Sequence, residues 1–170
     1  MAGDIFQFFM YPQEQTFWCW AATSVSVSIF YDATSPWIQC ILVDDEFGSL
    51  NCCNTGTGST PACNRPWYVS NGLQRVGHLG QLENGTASLL ENEIAARRPV
   101  VARIDWGGGG AHFPLINGYN DIVVSLNPFV LERYLQIQDP AYGPSFIPYN
   151  TFNRAYQGSG RWTFTFYTTR

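Results

Sequence analysis

Three side chains in this sequence carry reactive chemistry in unusual surroundings: Cys19, His112 and Asp139. Cys19 stands between Trp18 and Trp20, in the run Gln-Glu-Gln-Thr-Phe-Trp-Cys-Trp-Ala-Ala that starts at Gln13. Most free cysteines are small buried hydrophobes. A cysteine entering a helix is also where the macrodipole and unpaired N–H groups favour a thiolate. His112 follows four consecutive glycines, Gly107 to Gly110, and opens the run His-Phe-Pro-Leu-Ile-Asn-Gly-Tyr. Glycines beside an imidazole leave room for a substrate or another backbone to approach. Asp139 ends the run Tyr-Leu-Gln-Ile-Gln and is backed by Pro140. Asp-Pro is a common turn former, which is the plain alternative for that residue. The second histidine, His78, lies in Val-Gly-His-Leu-Gly and reads as a surface or packing residue.

Together, a thiol, an imidazole and a carboxylate form a set suited to acyl transfer. An imidazolium beside a thiol stabilises the thiolate, which attacks an acyl carbon; the imidazolium then protonates the leaving group. Asp139 is expected to accept the Nδ1–H of His112, so that the other ring nitrogen faces Cys19. The developing oxyanion needs donors, expected from the Cys19 backbone N–H and an upstream side-chain amide, Gln13 or Gln15.

The elements that must position these groups are legible in outline. From Cys19 to about Asp32 the chain lacks Gly and Pro, and Ala22, Val25, Ile29 and Ala33 recur at three- and four-residue steps. That spacing predicts a helix with one buried face. Pro36 is expected to open a second short helix through about Val43, and Pro66 a third to about Val76. Residues 48–66 form a loop rich in Gly, Ser, Thr, Asn and Pro that needs a staple or a function. Thr86, after the turn Asn84-Gly85, is placed to cap a helix over 87–98, with Leu89, Leu90 and Ile94 inward and Glu91 and Glu93 outward. The same three residues form a glycosylation sequon, to which no role is assigned. After Pro99 the character turns extended, with strands expected at 100–105, 112–119, 133–138 and 161–168. In the last, Trp162, Phe164 and Phe166 are expected on one face, with Thr163, Thr165 and Tyr167 on the other. Helices followed by strands argue for α+β: a helical lobe of about 13–98 against an antiparallel β lobe of about 99–170, within a single domain spanning 1–170.

The 170 residues suit one domain, and 45% hydrophobic and 16% aromatic content supply a core without metal. A net charge of −4 argues against nucleic acid or an anionic membrane as partner. All nine cations are Arg, which excludes Schiff-base chemistry by a lysine. No apolar run approaches the ~20 residues of a membrane span, and residues 1–12 lack the features of a signal peptide. Of five cysteines, Cys40, Cys52, Cys53 and Cys63 cluster, and neighbours seldom bridge each other. Two pairings remain open: 40–52 with 53–63, or 40–53 with 52–63. A zinc site is the rival, but adjacent ligands do not match the usual spacing. Two disulfides imply an oxidising destination and leave Cys19 as the free thiol. The chain is therefore expected to be secreted or delivered outside the producing cell, without a cofactor or metal, and monomeric.

In order along the chain, Gln13 six residues before Cys19, Trp-Cys-Trp-Ala-Ala, Gly-Ala-His-Phe-Pro-Leu-Ile-Asn-Gly-Tyr and Gln-Asp-Pro-Ala-Tyr-Gly resemble the papain-like cysteine peptidases. The nearest resemblance is to a short bacterial branch that includes the staphopains and plant-pathogen avirulence effectors. Gln39-Cys40, Cys52-Cys53, Cys63-Asn64 and Gly-Arg-Trp-Thr from Gly160 add to it. The resemblance implies Cys19 as nucleophile, His112 as acid and base, Asp139 orienting the imidazole, and Gln13, rather than Gln15, donating to the oxyanion. It also implies a protein or peptide substrate in a cleft between a helical and a β lobe. The leading expectation is an endopeptidase. The alternatives are a deamidase, transglutaminase or acyltransferase with the same side chains, or a binding module whose site has lapsed. Trp18, Trp106 and Tyr142 are candidates to line the cleft, with core packing the default for each.

Overall fold

The computed structural model describes residues 3–54 and 56–170. In chain order the elements are β1 (Gly3–Ile5), α1 (Cys19–Tyr31), α2 (Gln39–Phe47), α3 (Val69–Arg75), β2 (Leu79–Asn84), α4 (Leu90–Ala95), β3 (Val100–Asp105), β4 (Ala111–His112), β5 (Leu115–Leu126), β6 (Phe129–Gln138), β7 (Ser145–Pro148), α5 (Tyr149–Ala155) and β8 (Arg161–Thr168). The strands build one sheet in the order β2-β8-β3-β5-β6-β7, with β1 added to β5 and β4 to β3. Every pairing is antiparallel. The architecture is α+β, as the helix-then-strand reading anticipates.

The sheet separates two cores. On one face Val101, Leu115 and Phe166 pack with α1, α2 and α3. On the other, Val100, Ala102, Ile104, Ile116, Leu135 and Ile137 pack with Leu90 and Ile94 of α4 and Phe152 of α5. Fully burying each large aliphatic or aromatic side chain contributes roughly 1.5–3 kcal/mol.

Helix α1 departs from the one-faced expectation: every residue from Cys19 to Ser28 is buried. Its hydroxyls make this tolerable, because each finds a partner. Ser24 and Ser26 donate back to the carbonyls of Trp20 and Ala22, and Thr23 donates to Phe113 O across the interface with the sheet. Ser28 pairs with Ser35. A buried hydroxyl without such a partner would cost about 1–3 kcal/mol. Ala33 lies beyond the helix end at Tyr31.

Other boundaries shift for local reasons. Pro36 leads into extended Ile38, so α2 starts at Gln39 and runs to Phe47, where Gly48 adopts a left-handed φ of 87° and its N–H caps Asp44 O. Helix α4 covers less than 87–98, and Thr86 does not cap it; its N-cap is Leu89, without a side-chain bond. Glu93 turns inward rather than outward, because Arg98 folds back and holds its carboxylate through two bonds of 2.6 and 2.8 Å. Residues 79–95 also supply β2 and α4, so the sheet begins upstream of Pro99. The stretch expected as one strand over 112–119 is split at Phe113-Pro114 into β4 and the much longer β5. In β8 the expected alternation breaks. A register shift opposite Arg103/Ile104 turns Trp162 to the α5 side, while Phe164 and Phe166 stay on the α1 side. A bulge of this kind moves neighbouring side chains to opposite faces.

Between α2 and α3 the polar loop is stapled. Cys40 pairs with Cys53 and Cys52 with Cys63, at Cα separations of 4.9 and 5.7 Å. Cys19 is a free thiol.

Candidate active site

Of the four residues singled out for chemistry, Gln13, Cys19 and His112 line one cleft, and Asp139 lies buried behind His112. The cleft has a volume of about 290 Å³ and is lined by Gln13, Thr16, Phe17, Cys19, Pro66 and Trp67 on the helical side. Trp106, Gly109, Gly110, Ala111, His112, Phe113, Ala141 and Tyr142 form the sheet side. Gln15 lies elsewhere, beneath the disulfide loop with Cys40, Cys52 and Cys53.

Cys19 is the first residue of α1 and is 8% exposed. Its sulfur lies 3.8 Å from Ala111 O, on the strand that carries His112. The segment ahead of it is held from three directions. Phe17 N–H donates to Asn64 Oδ1 and Trp18 Nε1–H to Cys63 O, both at 2.9 Å. Buried Gln39 accepts from Glu14 N–H and donates to Pro12 O. Gln13 N–H donates to Pro140 O, the residue after Asp139. Trp18 is therefore a core residue, 1% exposed.

His112 sits on β4, opposite Ile104 of β3. Its ring donates to Asp139 through Nε2, 2.8 Å from Oδ1, and not through Nδ1 as the sequence reading expects. The imidazole enters from a strand running past the end of β6, which presents Nε2 to the carboxylate and leaves Nδ1 for the thiol. Trp106 and Tyr142 flank the ring at centroid distances of 6.0 and 5.9 Å.

Asp139 follows β6, and its side chain is wholly shut off from solvent. Oδ1 accepts from His112 Nε2 and from the N–H groups of Ala141 (2.7 Å) and Tyr142 (2.9 Å). Oδ2 accepts from Tyr156 Oη at 2.7 Å. Burial works to raise the Asp139 pKa, but the bonds from His112, Tyr156 and Tyr142 outweigh it and hold the group below its ordinary value. Burial likewise works against a charged His112. The bond to Asp139 and the contact with Cys19 prevail, and its pKa is raised to about 9. At neutral pH the ring is an imidazolium bonded to a carboxylate.

Gln13 reaches the same cleft, but its amide is occupied. Nε2 donates to Thr16 O at 2.7 Å and Gln15 O at 3.0 Å, while Oε1 is buried without a partner.

Tyr156 escaped the sequence reading. It follows α5 as one more aromatic in an aromatic-rich tail, and only the fold brings it to Asp139. Gly160 is tied to it, since paired backbone bonds of 2.9 and 2.8 Å join the two residues. A Cβ on Gly160 would lie 2.6 Å from Ile104 Cγ2, 2.8 Å from Tyr156 O and 3.1 Å from Trp106. The glycine of Gly-Arg-Trp-Thr thus sits where the cleft wall and the Asp139 support meet.

A helix entered at a cysteine, packed on an antiparallel sheet whose histidine faces it across a cleft with a buried aspartate behind, is the papain-like cysteine-peptidase fold. The chain is similar over 100% of its own length and 100% of the other chain to a crystal structure of a double glycine motif protease from an AMS/PCAT transporter in complex with the leader peptide, with a TM-score of 0.51. Sequence identity is 15%, so the likeness is one of fold. No protein-family model matches the chain, and comparison with curated proteins finds no match. No group of three or more His, Cys, Asp or Glu side chains able to hold a metal is present among the described residues. No helix among them is long and apolar enough to cross a membrane.

Proposed function

We propose that the chain is a cysteine endopeptidase that acts through an acyl-enzyme on Cys19. The observation that carries the reading is that the free thiol of Cys19 shares one cleft with His112, whose ring is held from behind by buried Asp139. In the proposed cycle the Cys19 sulfur attacks a peptide carbonyl carbon, and the His112 imidazolium gives its proton to the departing amine. His112, now neutral, takes a proton from water, which attacks the thioester and frees Cys19. Asp139 keeps the ring oriented and its cation stabilised throughout, without itself taking the proton. The Cys19 N–H and the Gln13 amide are assigned to the oxyanion. For Gln13 this means exchanging one carbonyl partner, with the longer bond to Gln15 O the one to yield.

The substrate class is a peptide or protein. The neighbour of like fold was crystallised with a leader peptide, and the cleft here is lined by Trp67, Trp106, Phe17 and Tyr142 without an Asp, Glu or Arg. The two disulfides support work in an oxidising setting, outside the producing cell. The motifs around Cys19, His112 and Asp139 keep the short bacterial branch, with its staphopains and effectors, as the finer assignment.

A peptide-library digest tests the reading, with wild type beside Cys19→Ala and His112→Ala and product termini read by mass spectrometry. New chain ends are expected from wild type alone. Substantial cleavage by Cys19→Ala would overturn the nucleophile, and ammonia released from intact substrate would redirect the chemistry to side-chain deamidation.

A further inference from the structure

We propose that Tyr156 is a positioning residue for the proposed reaction, holding Asp139 through Oδ2 so that Oδ1 stays aligned with His112. The inference rests on the peptidase reading for its effect on rate, but the contact itself does not.

Tyr156 is 1% exposed, and its hydroxyl is 2.7 Å from Asp139 Oδ2. Three donors converge on Oδ1, whereas Tyr156 is the one donor to Oδ2 among the described residues. An ionised carboxylate only accepts, so the hydroxyl must donate. Burial and the neighbouring Asp139 push the Tyr156 pKa far up, so it remains a donor wherever the site functions. The ring is fixed behind the hydroxyl by an edge contact with Phe152 at 5.0 Å, and its backbone by the paired bonds to Gly160. Loss of the hydroxyl would leave Oδ2 buried and unpaired, a state relieved by protonating the carboxyl or rotating it away from the imidazole. Either change weakens the orientation of His112. The titratable groups facing Asp139 are His112 on β4, Tyr142 after β6 and Tyr156 after α5, with Cys19 on α1 beyond the imidazole.

The test is Tyr156→Phe, which keeps the ring and removes the donor. Two readouts are followed: the pH profile of kcat/KM, and the NMR titration of the His112 ring and Asp139 carboxyl, which needs no substrate. The acid limb is expected to move up by about one pH unit, as loss of a hydrogen bond to a buried charge implies. A fall in kcat of about tenfold should accompany it, with KM within about twofold. Trp162→Phe is the control. It removes another buried residue's N–H donor, which serves Phe164 O and Thr165 Oγ1, and should lower Tm without moving either titration. Coincident titrations for Tyr156→Phe and wild type would overturn the proposal. If wild type shows no turnover, the peptidase reading fails while the NMR titration still decides the contact. If Tyr156→Phe does not fold, the wild-type hydroxyl proton decides. A slowly exchanging resonance that vanishes as Asp139 protonates supports the bond, and a rapidly exchanging one refutes it.

Discussion

Raising the pH through 9 should strip the fold of a stabilising charge at His112. The group is held at about 9 in the folded chain against an ordinary 6.5. A site that binds its proton more tightly when folded adds stability that is fully present below the unfolded value and is lost as pH rises through the folded one. The window therefore runs from about pH 6.5 to about pH 9, and stability falls across it. At about 1.4 kcal/mol per pH unit the interval corresponds to ~3 kcal/mol. That is a large share of the ~5–15 kcal/mol that a domain of this size has in total. The His112 side chain is only 10% exposed and that of Asp139 not at all, so solvent screening discounts the figure little. Urea unfolding at pH 6 and pH 10 measures it, comparing His112 with His112→Gln. Both chains carry Cys19→Ala, so that the comparison reads the His112–Asp139 pair alone. The larger share of the ~3 kcal/mol should survive in that background, because the Asp139 bond outranks the Cys19 contact among the causes that raise the pKa. Equal pH slopes for the two chains would refute the charged His112–Asp139 pair.

Gln13→Ala should lower kcat by ~10²–10³, as removal of an oxyanion donor does; an unchanged rate in steady-state kinetics would leave the backbone N–H of Cys19 alone in that role. Replacing Cys52 and Cys63 together by Ala should cost about 3 kcal/mol in denaturant melts, the closure entropy of a loop this short. Intact stability after that double substitution would show that the loop is held by its turns instead. Asn64→Ala removes the acceptor of Phe17 N–H and should cost ~1 kcal/mol while slowing alkylation of Cys19 by a small electrophile, followed by mass spectrometry. Unaltered alkylation would separate Asn64 from the nucleophile.

What was legible in the sequence depended on range. Helix α1 and strands β3 and β8 announce themselves through local spacing, and the Cys-His-acid types stand out because few other residues could do the chemistry. The strands β1, β2 and β7 do not, since each exists only through its partner: Gly3 pairs with Asn120, Leu82 with Phe166 and Ile147 with Leu135. Gly118 illustrates the same limit, because it is small so that β1 can pass, with Ile5 Cα 2.7 Å from where a Cβ would be. The ring orientation of His112 differs from the expected one, with Nε2 rather than Nδ1 toward Asp139, because it follows from the approach of β4 to the end of β6, which no spacing encodes. Nothing local marks Tyr156 for the same reason: only the fold brings it to Asp139. Spacing does not decide the cysteine pairing because both alternatives close short loops; the structure pairs 40 with 53 and 52 with 63.

Short motifs scattered across the chain have one physical purpose: to hold residues 12–18 and the cleft wall opposite. Gln39, next to the disulfide-bonded Cys40, fixes Pro12 and Glu14. Cys63 and Asn64 fix Trp18 and Phe17, and the 52–63 disulfide ties them to Cys52, whose N–H is held by Asp44 of α2. Across the cleft, Gly160 lets Trp106 lie beside His112 and anchors Tyr156 under Asp139. A nucleophile at a helix entry is carried by a loop, and a loop alone would not keep sulfur, imidazole and oxyanion donor aligned to the ~0.5 Å that catalysis demands. Burial of α1 from Cys19 to Ser28 fixes the helix itself, but not the loop ahead of it. The disulfides and the buried Gln39 supply the missing rigidity. The stapled loop thus belongs to the proposed active site as much as Cys19 does, and reduction of the 52–63 bridge should cost activity before it unfolds the sheet.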